Sequence, residues 1–164
     1  MSDTAARKHT ISWHDPLANA ESRRRLSGLE AIQKMLAGEL PPPPIAGLMN
    51  MNLVEAVEGN VVFTAEPAEF HYNPIGSVHG GFAATLLDSA MGCAVQTMLP
   101  AGVGWTTLEL KVNYIRPMSM QTGLVRCEGR VIHSGGRVAT AEGRIIDREG
   151  KLYAHGTTTC LIIR

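Results

Sequence analysis

Apolar positions recur along this chain in two rhythms, and the change of rhythm divides it. Between residues 16 and 38, Leu26, Leu29, Ile32, Met35 and Leu36 fall near the 3.6-residue period of a helix, which Gly38 and the run Pro41-Pro42-Pro43-Pro44 bring to an end. The prolines predict a stiff, extended spacer. Strand-like segments follow at 51–57, 61–65, 105–114, 124–133, 138–146 and 152–163. Glu58-Gly59-Asn60, Ser134-Gly135-Gly136 and Asp147-Arg148-Glu149-Gly150 supply the Gly, Asn and Asp that hairpin turns use. In the third segment Leu108, Leu110, Val112 and Tyr114 alternate with Thr107, Glu109, Lys111 and Asn113, the two-residue period of a strand with one face on a core. Between the second and third strands lies one long apolar helix that opens at Gly80, with Phe82, Leu86, Met91, Val95 and Met98 assigned to the core. The order ββαββββ predicts an α+β fold, an antiparallel sheet curled around a central helix. Residues 1–48 then form an N-terminal arm with a short helix and the Pro-rich spacer, and residues 49–164 form the domain.

The central helix carries one acid, Asp88, where an unpaired carboxylate is costly to bury. Its neighbours at i−7, i−4, i−3 and i+4 are Gly81, Ala84, Thr85 and Gly92, so the face around the acid is small and open to approach. The helix is introduced by Asn73-Pro74-Ile75-Gly76-Ser77-Val78-His79-Gly80-Gly81. Adjacent glycines at a helix start admit a substrate closely, and the first-turn N–H groups, lacking intrahelical partners, attract a developing oxyanion. Gly80 and Asp88 are eight residues apart, roughly 12 Å along a helix axis, so one carbonyl cannot touch both. Two chains pairing with these helices antiparallel would bring the Gly80 end of one to the Asp88 level of the other, with two equivalent sites per twofold dimer. Bland alternatives stand beside these readings. His79 also fits a helix cap, Asn73 before Pro74 also fits a turn, and Thr107 is an ordinary strand residue.

On Asn73, Gly76, His79-Gly80-Gly81, Asp88, the run Thr107-Leu108-Glu109-Leu110-Lys111-Val112-Asn113-Tyr114 and Arg116-Pro117, the chain resembles the hotdog-fold acyl-CoA thioesterases of the PaaI-like, phenylacetic acid degradation type. The resemblance spans roughly residues 50–163. It implies the hotdog topology, with Asp88 as nucleophile or general base and the Gly80 N–H polarising the thioester carbonyl. It further implies that Asn73 and His79 orient substrate or water and that Thr107 assists Asp88 from the same subunit. Pro74 directly after the Asn departs a little from the pattern and restricts Asn73 to extended geometry. Contacts to the acyl-CoA are expected from Gly81, Thr106, Tyr114, Arg116 and Pro117, and from the hairpin His133-Ser134-Gly135-Gly136-Arg137. The implied substrate is an acyl-CoA, and the small face around Asp88 with the apolar helix positions points to a medium-chain or aromatic acyl group, with Phe82, Met91 and Trp105 near enough to line its pocket. The implied assembly is a homodimer or a dimer of dimers, with no cofactor beyond the coenzyme A of the substrate.

Composition narrows the remaining classes. The 164 residues carry 15 basic and 15 acidic side chains, and without a concentrated basic face nucleic acid is not the expected partner. No run approaches the roughly 18 apolar residues of a membrane span. Met1-Ser2-Asp3-Thr4 lacks the charged-then-apolar pattern of a signal segment, so a cytoplasmic protein is expected. Cys93, Cys127 and Cys160 show no C-x-x-C spacing and read as buried, reduced thiols, and the six histidines show no ligand pairing, so no metal is expected. There is no G-x-S-x-G elbow for a serine nucleophile and no phosphate-binding loop for ATP or NAD. Two other readings keep the same fold: a non-catalytic acyl-CoA binding or regulatory protein, and an enoyl-CoA hydratase. The second is weakened because Asp88 has no histidine at i+5, where Cys93 stands.

Overall fold

The computed structural model describes residues 5–164; the expectation resting on residues 1–4 lies outside them. Three short helices, α1 (Pro16–Arg23), α2 (Gly28–Leu36) and α3 (Pro44–Leu48), precede strands β1 (Met51–Val57) and β2 (Asn60–Ala65). The central helix α4 (Gly80–Thr97) follows, then β3 (Gly104–Tyr114), β4 (Val125–Ser134), β5 (Val138–Ile146) and β6 (Leu152–Ile163). The expected order of elements is therefore present. The single helical stretch expected over 16–38 is instead two helices. Ser27 breaks it, because its side chain caps Glu30 N–H while the Glu30 carboxylate returns to the Ser27 N–H, a reciprocal box that starts a new helix. Pro44 likewise opens α3 rather than prolonging the spacer, since its missing N–H costs nothing at a first helical position. Among the described residues no helix is long and apolar enough to cross a membrane.

All strands are antiparallel in one sheet of order β1-β2-β4-β5-β6-β3, which leaves β1 and β3 as edges. Helix α4 lies against one face, burying Phe82, Leu86, Leu87, Met91 and Val95. Met98, expected in the core, is 36% exposed, because it follows the last helical turn. The helix comes close through one cross-strand row in which Gly129, Gly143 and Gly156 are paired in register. A Cβ on Gly129 would overlap the Ala90 backbone carbonyl, and one on Gly143 would sit 3.0 Å from the Met91 Cγ. On the opposite face the charges neutralise one another: Arg126 grips Glu55 with two hydrogen bonds, at 2.8 and 2.9 Å, and Glu128 accepts from both Arg126 and Arg144.

Strand β3 departs from simple alternation. A bulge between Thr107 and Glu109 leaves Leu108 without a partner on β6 and 59% exposed. The extra residue reverses the phase. Trp105 and Thr107 are half-buried before it, Leu110 and Val112 after it, so Thr107 turns toward the helix with the apolar residues and not away from them.

The glycine row generates a stability prediction. Gly129→Ala should cost about 3 kcal/mol in urea unfolding, the upper end for overpacking, because the obstacle is backbone and cannot rotate aside. Gly104→Ala, with nothing nearer than 3.9 Å, should stay within about 0.5 kcal/mol of the parent.

Candidate active site

The segment entering α4 is tied at each step. A 3-10 turn over Glu69–His71 leads to a bridge between Tyr72 and Val78, and the loop between them is closed by Asn73. The Asn73 N–H donates to the Ser77 carbonyl at 2.8 Å, while its Oδ1 accepts from the Ile75 and Ser77 N–H groups at 3.1 and 3.3 Å. Gly76 takes the positive φ of 82° that the turn needs. Within one chain the Asn73 side chain thus does the work of a turn residue.

His79 caps the helix. Its N–H donates to the His71 carbonyl at 2.8 Å, and its Nδ1 accepts from the Gly81 N–H at 2.8 Å. That bond assigns the ring proton of a neutral His79 to Nε2, as a donor. Among the described residues nothing accepts from the Gly80 N–H, the donor expected to polarise a carbonyl. Tyr114 packs over Gly80 and donates to its carbonyl at 3.2 Å; a Cβ on Gly80 would meet that ring at 3.2 Å. Glycine is required here by close approach. Val78, Gly80, Ala83, Tyr114, Pro117 and Met118 help to line a cleft of about 280 Å³ at this point. A larger hollow of about 490 Å³ lies among the paired charges of the outer sheet face, including Glu128, Arg130, Glu142 and Arg144. The candidate chemistry is in the smaller one.

Asp88 is half-buried on α4. Thr107 Oγ1 donates to its Oδ1 at 2.8 Å, while Oδ2 has no partner among the described residues. The bulge in β3 is what delivers that hydroxyl. Trp105 fills the space over Gly92, so this part of the small face is occupied, whereas Gly81, Ala84 and Thr85 are only partly covered. Of the apolar residues near the motif, Phe82 and Met91 are core and Trp105 alone borders the open stripe. The cysteines offer no competing nucleophile: Cys127 and Cys160 are buried as expected, and Cys93, half-buried and not fully enclosed, still has its thiol pushed up to about 12 by desolvation.

The remaining expected contact residues fall into two groups that one chain keeps apart. Arg116 and Pro117 lie with His79, Gly80, Gly81 and Tyr114 at the β3 end that pairs with Ala154, where Arg116 donates to the Leu152 carbonyl at 2.5 Å. His133 and Ser134 end β4, and Gly135, Gly136 and Arg137 turn the chain into β5, level with Thr106 through the Val138–Leu161 and Leu161–Thr106 pairings. Thr106 and Tyr114 are separated by eight residues of strand, about 26 Å. His71 was not singled out by any sequence motif, yet it is buried with Nδ1 accepting from the Ala68 N–H at 3.0 Å and Nε2 bonded to the Leu48 carbonyl at 2.9 Å. Its signal is three-dimensional, for Leu48 is 23 residues away.

Comparison with known proteins bears on the family and the fold. The family described as the thioesterase superfamily matches residues 75–154. Human acyl-coenzyme A thioesterase 13 is 30% identical over 78 residues, 48% of this chain and 55% of that enzyme. The chain spans only 29% to 55% of the length of the curated relatives it matches. Among solved structures, a phenylacetic acid degradation-related protein from Ralstonia eutropha JMP134 superposes with a TM-score of 0.71 at 31% identity, covering 79% of this chain and 98% of that one. A Streptococcus mutans protein bound to acetyl CoA shares the fold at a TM-score of 0.63 and 24% identity, over 69% of this chain and 88% of that one.

The buried His71 generates a pH prediction. Burial lowers its pKa below the ordinary 6.5. Below about pH 6.5 the unfolded chain therefore binds a proton that the folded chain refuses, so this contribution to stability is complete above that pH and is lost as pH falls toward the folded pKa. Urea midpoints should drop below about pH 6.5, and His71→Asn should flatten that drop whatever its overall level.

Proposed function

The chain belongs to the thioesterase superfamily, and from that membership we propose that it hydrolyses an acyl-CoA to the free acid and coenzyme A at a site shared by two copies of itself. The observation that carries the reading is the pairing of a Thr107-held Asp88, one carboxylate oxygen free, with an unclaimed Gly80 N–H too far along the same helix to serve the same carbonyl. The free edge of β3 offers the means of bringing two such helices together. Thr107 marks the Asp88 level on that strand and Tyr114 the Gly80 level. With Leu108 bulged out of the ladder, antiparallel pairing of two β3 edges that sets Thr107 opposite the partner subunit's Tyr114 centres the twofold on Lys111. The same pairing brings the 133–137 turn of one chain to the level of the partner's Arg116 end, which suits a long coenzyme A arm.

In this scheme the Gly80 N–H of one protomer takes the charge that develops on the thioester oxygen. Asp88 of the other either attacks the carbonyl carbon, expelling coenzyme A thiolate and forming a mixed anhydride that water cleaves, or removes a proton from the water that attacks. Thr107 holds one Asp88 oxygen so that the other faces the reacting carbon. The Nε2–H of His79 orients the thioester or the water, and Asn73, whose amide is spent on Ile75 and Ser77, supports that task by holding the loop. No metal or redox cofactor is required. The half-buried small residues Gly81, Ala84 and Thr85, with Trp105 beside them, suit a medium-chain or aromatic acyl group, and the setting is cytoplasmic, where coenzyme A thioesters and free thiols coexist.

A thiol-release assay across short, medium, long and aromatic acyl-CoAs tests the activity. Release separates an enzyme from a binding protein, and hydration of an enoyl-CoA without thiol release would replace hydrolysis. Aromatic acyl-CoAs should exceed acetyl-CoA in kcat/KM. Asp88→Asn should leave the fold intact and lower kcat by roughly 10² or more. The shared site predicts complementation: Asp88→Ala chains mixed with Gly80→Val chains, each inactive alone, should recover about a quarter of the parental rate after random subunit exchange, because each hybrid has one intact site of two. No recovery after demonstrated exchange would place each site within one chain.

A further inference from the structure

The N-terminal arm touches the loop that leads into the candidate site. The His9 ring stacks on Phe70 with centroids 3.8 Å apart and planes 16° from parallel. Phe70 meets His71 at 4.2 Å, and His71 meets Phe82, a core residue of α4, at 4.6 Å. A column of four rings thus runs from the exposed arm through the Glu69–His71 turn into the first turn of the central helix. Beside it Arg7 pairs with Glu69, and Ile11 packs on α3 at Gly47, one residue before the Leu48 carbonyl that receives the His71 Nε2–H. The backbone of His71 also has a task, because its carbonyl accepts the His79 N–H at 2.8 Å and so orients the peptide plane preceding the Gly80 N–H.

We propose that the arm is a strap for the active-site loop, with His9 as a positioning residue that acts through Phe70 and His71 on the His79–Gly80 peptide. This rests on the reading of Gly80 as the donor to the thioester oxygen. The exposed Arg7–Glu69 ion pair adds little by itself. The stacked rings carry the effect, and the buried end of the column keeps the turn in register while the outer end is in solvent.

The test uses the full chain with His9→Ala and His9→Phe. His9→Ala removes the outermost ring from an exposed position, so the global unfolding midpoint should stay close to the parent. Hydrogen–deuterium exchange of a peptide covering residues 71–79 should speed up by up to about tenfold, the loss of one stacked aromatic contact. His9→Phe, which keeps the stack without the imidazole, should exchange like the parent. In the thiol-release assay His9→Ala should lower kcat by roughly threefold to tenfold with KM changed less than about twofold, and His9→Phe should restore it. Unchanged exchange in His9→Ala, or His9→Phe exchanging as fast as His9→Ala, overturns the strap. Altered exchange together with unaltered kcat overturns the link to Gly80. Because exchange needs no substrate, a parental protein that released no thiol would refute the thioesterase reading while the exchange data still decided the strap.

Discussion

The close approach of α4 to its sheet is the contact on which the rest of the molecule depends. Helices and sheets ordinarily rest on layers of side chains about 10 Å thick. Here Gly129, Gly143 and Gly156 remove that layer along one row, and the helix settles onto the strand backbones at Leu87, Ala90 and Met91. Asp88 lies between these anchoring residues on the helical net, so its height above the sheet is set by the same contact. That height brings its carboxylate to 2.8 Å from a hydroxyl on β3. A helix held a few ångströms further out would leave Thr107 short of hydrogen-bonding range. Packing and chemistry are one constraint in this region, and glycine, the residue with no side chain, enforces it.

The two ends of the candidate site are built by different means. At Asp88 the surroundings are side chains packed on a rigid helix and an edge strand. At Gly80 they are backbone groups whose direction depends on a loop, and the loop in turn on the Asn73 turn, the Tyr72–Val78 bridge and the His79 cap. Backbone donors have the advantage that no rotamer has to be frozen when charge develops, but their aim is only as good as the loop behind them. Most of the polar atoms in this stretch are accordingly spent on one another, and the Gly80 N–H is conspicuous for being left over.

Local patterns told most of the fold. The period of 2 in the late strands, the Gly-marked turns and the single long apolar helix were sufficient for an α+β fold with the right order, while the hotdog topology came from the resemblance at Asn73, His79-Gly80-Gly81 and Asp88. Of three features not read from the sequence, two depend on a register or a partner far along the chain, and the third, the Ser27-x-x-Glu30 box, is a local signal masked by the apolar stripe around it. The bulge at Leu108 is invisible in a sequence that alternates cleanly on paper, and it moved Thr107 to the helix side. Ser27 and Glu30 form a capping box inside what reads as one amphipathic stretch, so that stretch became two helices. His71 looks like any loop histidine until Leu48, Ala68 and Phe82 surround it. Of the site itself, the Asp88 end was legible as an isolated acid among small residues. The partition of the expected coenzyme A contacts between opposite ends of the sheet was not, since strand direction and pairing decide it.

The interruption at Leu108 also bears on what the exposed edge of β3 can become. A long, even edge is an open invitation to any extended segment, its own copies included, and stacking of such edges without limit is how fibrils grow. On β3 the hydrogen-bonding rhythm is continuous only from 109 to 114 and changes phase before it. A newcomer that matches one half of the strand is out of step with the other, so the edge rejects most visitors. A copy of the same strand related by a twofold axis through the regular half would be in step with it and would cover that edge.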